Sequence, residues 1–129
     1  MKKDIKFPKI ENVYVSIVKD EDGWKVYLLN RQDKQLDTVM VTSKGYGNKQ
    51  GKEQKTSVLR HMIPKIEPGE YALIEPISED VFHLNNEYWV SFFIDGQLYD
   101  KKYIFVPETI IKDNLSFIPE LKMEGVLHQ

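Results

Sequence analysis

The chain contains no cysteine. A disulfide framework, thiol catalysis and thiolate metal ligation are therefore excluded. The absence fits a reducing compartment, and a cytoplasmic protein is the expectation. Arginine is almost missing as well, with Arg31 and Arg60 alone. No apolar run approaches the ~20 residues that a membrane helix needs. Met1-Lys2-Lys3-Asp4-Ile5-Lys6 is charged and leads into no apolar stretch, so no leader and no membrane partner are expected. The histidines, His61, His83 and His128, lie far apart, and none has a close-spaced ligand partner. No metal and no cofactor is expected.

Also lacking is any long pattern of helical period. What fills the chain instead is a series of short apolar segments. Val13 to Asp20 alternates and is followed by Asp20-Glu21-Asp22-Gly23, a hairpin turn. Trp24 to Leu29 returns, and Leu36 to Tyr46 is rich in β-branched residues. Thr56 to Ile66 resumes, with Pro64 marking an edge position or the end of that strand. Tyr71 to Glu75 is a short strand, and Glu87 to Ile94 is an aromatic one. Asp95-Gly96 is the sharpest hairpin signal, with Gln97 to Val106 as partner. Two short helical turns are predicted, Ser78 to Asn86 and Glu108 to Asp113.

This cadence predicts an all-β domain over residues 1–107, an immunoglobulin-like β-sandwich of about seven strands. An open oligonucleotide-binding barrel is the alternative. Residues 108–129 form a C-terminal extension. Its apolar side chains, among them Ile110, Ile111, Leu115, Phe117 and Leu121, are too many to stay in water. They are predicted to cover the sandwich or to meet a second copy as a homodimer.

Charge is unevenly spread. Residues 1–65 hold 14 Lys/Arg against 8 Asp/Glu, whereas residues 66–100 hold eight acids and no Lys or Arg. The segment Gly45 to Lys55 combines glycines with lysines and has no aliphatic residue, which predicts a mobile surface loop. Lys44, Tyr46, Lys49, Lys52, Lys55 and Arg60 are the candidate contacts for nucleic acid or a protein partner, charge for phosphates and a ring for stacking. The same segment is not a phosphate-binding loop, because Gly51-Lys52 runs into Glu53 and Tyr46 stands where the first glycine belongs. A slightly acidic pI near 5.9 weighs against nucleic acid as the main partner.

No Gly-x-Ser-x-Gly elbow supports a serine nucleophile, and acidic pairs such as Glu75 with Glu79 or Asp80 arise readily among 20 acids. The aromatics around Trp89 are read as core and face of a sandwich. No catalytic residue is expected. A non-catalytic interaction or scaffold module is the leading expectation, and an RNA-associated accessory factor is the alternative.

Two resemblances sharpen this. Lys25-Val26-Tyr27-Leu28-Leu29-Asn30 and Ile66-Glu67-Pro68-Gly69-Glu70-Tyr71 are similar to strand and turn segments of bacterial immunoglobulin-like modules. Val41 to Gly47, Leu84 to Phe92 and Tyr99 to Pro107 resemble a small bacterial family often named automatically as a phenylalanine–tRNA ligase alpha subunit. That resemblance implies an association with a tRNA ligase. It does not imply aminoacylation here, since such a catalytic core is far longer and needs an arginine-bearing ATP motif.

Overall fold

A computed structural model describes residues 9–128; the charged stretch Met1 to Lys6 lies outside them. The fold is all-β, two five-stranded antiparallel sheets facing each other as a sandwich, with no closed barrel. The oligonucleotide-binding alternative is thereby set aside.

The strands are β1 (Val13–Asp20), β2 (Gly23–Asn30), β3 (Leu36–Lys49), β4 (Lys52–Lys55), β5 (Leu59–Ile66), β6 (Tyr71–Ile77), β7 (Asn85–Ile94), β8 (Gln97–Phe105), β9 (Ser116–Ile118) and β10 (Met123–His128). The first sheet runs β6-β2-β1-β10-β9. In the second, β3 pairs β7 on one side, and β7 pairs β8. The other side of β3 is shared: β5 pairs Leu36 to Ser43 and β4 pairs Tyr46 to Lys49.

Alternation sets the core. Val13, Val15 and Ile17 of β1 face inward, as do Val26 and Leu28 of β2 and Val39 and Val41 of β3. They meet Tyr88, Val90 and Phe92 of β7 and Tyr103 and Phe105 of β8. Successive strand residues point to opposite faces, so the aromatic strand divides into inward Tyr88 and Phe92 and outward Trp89 and Phe93. The Tyr103 hydroxyl donates to the Val13 carbonyl at 2.6 Å, which ties the sheets together.

Asn30 ends β2 and is fully buried. Its amide donates to the carbonyls of Lys34 (2.8 Å) and Ile66 (3.0 Å), and its side-chain oxygen accepts from the Gln32 amide at 3.0 Å. One side chain thus fixes both crossings between sheets, out after β2 and back before the Pro68-Gly69 turn.

Two expectations need correction. The Gly45 to Lys55 segment is a hairpin, not a mobile loop: Lys49 pairs with Lys52 around Gln50-Gly51, both at positive φ (53° and 77°). That is the geometry of a tight two-residue turn. The helix expected over Glu108 to Asp113 is absent. Glu108 takes a φ of 64°, which stops a right-handed helix at its start, and a single 3-10 turn follows at Lys112–Asn114. The count of about seven strands fits the body, and β4, β9 and β10 are additional. The 3-10 turn Glu79–Val81 lies in the first predicted helical stretch, capped by Ser78, whose side chain accepts from the Asp80 amide.

The C-terminal residues form a hairpin, with β10 inserted between β1 and β9. Ile110 is buried in the core, and Leu115, partly buried, packs against it. Leu121 packs against a smaller cluster of Val18, Leu29 and Ile118 on the outside of the first sheet. Of the proposed dimer residues, Ile111 and Phe117 remain exposed.

Candidate functional site

The outward face of the second sheet is built by cross-strand register. Directly opposed residues of an antiparallel pair share a face. Met62, Met40, Ser91 and Asp100 form one row across β5, β3, β7 and β8. Arg60, Thr42, Trp89 and Lys102 form the next. Phe93 and Leu98 pair in a third.

This face is unusually apolar for a solvated one. Met62 is 67% exposed, Met40 and Leu98 48% each, Trp89 47% and Phe93 37%. With strands about 4.8 Å apart and like-facing residues about 6.7 Å apart along each strand, the ten side chains of these rows, half of them apolar, cover on the order of 300 Å². Lys102 reaches over the Trp89 ring, with Nζ 4.8 Å from its centroid. Arg60 is exposed two strands away in the same row.

Of the six predicted contact residues, Lys44, Tyr46, Lys55 and Arg60 share the outward face of the second sheet, and Lys49 and Lys52 do not. Lys44, Tyr46 and Lys55 line a cleft of about 650 Å³ beside the β3–β4 hairpin, together with Glu53, Thr56, Val58 and Glu87. Lys49 and Lys52 sit at the hairpin tip, facing each other across its turn. Arg60 stands in the row next to Lys44 and Glu87, opposite Thr42. The cleft is not simply basic. Lys44 lies 3.6 Å from the nearly buried Glu87, and Lys55 lies 3.2 Å from Glu53. The Tyr46 hydroxyl donates to Glu87 at 3.2 Å. Its pKa is raised, first by burial and then by its bond to Glu87, so it stays a donor.

The cleft exists because β4 and β5 share the same edge of β3. Between them, Thr56 hooks onto Gly45 by two hydrogen bonds, at 2.9 Å and 2.7 Å. A Cβ on Gly45 would come within 2.9 Å of the Thr56 methyl, so the close approach needs glycine.

On the inner side of the same gap lies a polar cluster that sequence spacing does not reveal. Glu75 of β6 accepts from Ser43 Oγ at 2.6 Å and meets His61 Nε2 at 2.7 Å, both at Oε1. The Tyr88 hydroxyl is pushed far above the tyrosine range, by burial first and then by the charge of Glu75, to which it also hydrogen-bonds. The carboxylate stands between hydroxyl and imidazole. A nucleophilic triad requires the imidazole in the middle, so this order does not activate Ser43. The cluster instead joins β5 of one sheet to β6 of the other.

Among the described residues no group of three or more His, Asp or Glu is placed to hold a metal ion, and no helix is long and apolar enough to cross a membrane. No family model matches the sequence, and no curated protein matches it.

Proposed function

We propose that the protein is a non-catalytic interaction module that docks a partner protein on the outer face of its second sheet. The observation that carries this reading is the exposed Met62–Met40–Trp89–Phe93–Leu98 surface. Interfaces concentrate aromatic residues, Met and Arg at their centre, and all three stand here with Arg60. About half of that area is apolar and Thr42, Ser91 and Asp100 interrupt it, so the make-up of the patch rather than its extent supports the reading. A stable complex buries about 800 Å² per partner. The patch therefore serves as the centre of a larger contact or of a transient one. Arg60 and Lys102 flank Trp89 in its row, which favours a partner segment with apolar side chains and acidic flanks.

A second reading keeps one specific support. Trp89 between Arg60 and Lys102 offers a ring and two cations on a flat sheet, a platform for a single-stranded RNA. Asp100 on the same face, and the carboxylates that pair with Lys44 and Lys55, weigh against it. The immunoglobulin-like topology, the cytoplasmic setting and the tRNA-ligase association belong with these proposals. Self-association through Ile111 and Phe117 does too, with fewer side chains to sustain it.

Recovery from native extract, with and without nuclease, separates the readings. A protein held by the wild type after nuclease and lost with Trp89→Ala or Met62→Ser supports docking. Loss of all bound material on nuclease treatment supports RNA.

A further inference from the structure

The cleft beside the β3–β4 hairpin has a property that docking on the sheet face does not use. The Glu87 side chain is only 6% exposed, and a carboxylate has about four acceptor positions. Two are engaged, both loosely: Tyr46 at 3.2 Å and Lys44 at 3.6 Å. Partners of a carboxylate normally approach to about 2.7–2.9 Å. The Glu87 carboxylate therefore keeps acceptor positions open. It faces a cleft of about 650 Å³, within the ordinary range for small-molecule sites. Next to Tyr46 in the β3–β4 register stands Lys55, its side chain 70% exposed and paired with the equally exposed Glu53. The lining thus carries two carboxylates and two ammonium groups, with Val58 and the Tyr46 ring between them.

We propose that this cleft binds a small zwitterion of amino-acid size, its ammonium group on Glu87 and Tyr46 and its carboxylate toward Lys55. An ammonium group brings several donors to the open positions of Glu87. A ligand carboxylate then competes with Glu53 for Lys55, a weak surface pair that is cheap to break. A molecule of one charge would satisfy one of these groups and leave the other unmatched. The apolar part of the ligand rests on Val58 and Tyr46.

The test is an NMR titration of the full chain with leucine, leucinamide and N-acetylleucine. Leucine is expected to shift the amides of Gly45, Gly47 and Thr56 and to saturate. Each singly charged analogue should bind about tenfold more weakly or worse, the cost of one lost charge contact. Glu87→Gln should weaken leucine to a similar degree. Lys55→Gln provides the same readout at an exposed position, where folding is not at stake. Equal binding of the three compounds, the absence of cleft shifts, or unaltered leucine binding in both variants overturns the proposal. The outcome is independent of whether the Trp89 face docks a protein.

Discussion

Lys102 and Trp89 face each other across β7 and β8, with the ammonium nitrogen 4.8 Å from the ring centroid. The pair sits on the exposed side of the sheet, where the ring buries nothing of the core. A tryptophan held in water by one cation is available for a partner.

Its removal should therefore separate binding from stability. Trp89→Ala and Met62→Ser are expected to shift unfolding by about 0.5 kcal/mol or less, as surface changes do. The same substitutions should abolish partner capture. Thermal melting beside the extract assay checks both halves.

Asn30 should behave in the opposite way. Asn30→Ala leaves the buried Ile66 carbonyl without its donor and frees the Lys34 carbonyl and Gln32 amide. An unsatisfied buried group costs about 1–3 kcal/mol. Urea denaturation should show a loss of that order, with partner binding retained below the transition.

The C-terminal hairpin is expected to be indispensable. A Cβ on Gly125 would meet Val18 Cγ1 at 2.5 Å and the Ile17 carbonyl at 2.9 Å. Gly125→Ala should cost about 1–3 kcal/mol through overpacking. Truncation after Pro107 removes the β10 partner of β1 and uncovers the core beside Val126 and Ile110. Circular dichroism of the truncated chain should show no cooperative melt.

Acid sensitivity has an identifiable contributor. Arg31 holds the Glu120 carboxylate through two bonds, at 2.7 Å and 3.0 Å, and lowers its pKa from an ordinary value of 4.5. A depressed folded value means that the stabilisation is present above the unfolded pKa and is lost as pH falls through the folded one. Glu120→Gln should therefore lower the melting temperature at neutral pH, and the gap to wild type should close on acidification below about pH 4.

The sandwich was legible because alternation and turn chemistry are local. Asp95-Gly96, at φ of 48° and 79°, and the Pro64 edge strand stand where the residues put them. The β4 hairpin was hidden because Lys52 to Lys55 is polar on both faces, so no alternation marks it as a strand. The tail's helix was misread because Pro107 suits a first helical position, whereas Glu108 adopts a left-handed backbone that no composition announces. The candidate site was half visible. Lys44, Tyr46 and Lys55 do share a cleft, but their carboxylate partner Glu87 comes from another strand more than 30 residues on. The outward set Met40, Met62 and Trp89 is equally non-local. Each belongs to a different strand, and only the pairing register places them side by side.

The docking claim is tested most directly by site-specific photo-cross-linking in cells. A photoreactive residue at Met62, on the apolar face, is compared with one at exposed Asp113 on the far connection. The account predicts a discrete adduct with another polypeptide from position 62, absent from position 113 and lost when Trp89 is changed to Ala. Adducts of equal yield from both positions, or adducts to RNA alone, would contradict it.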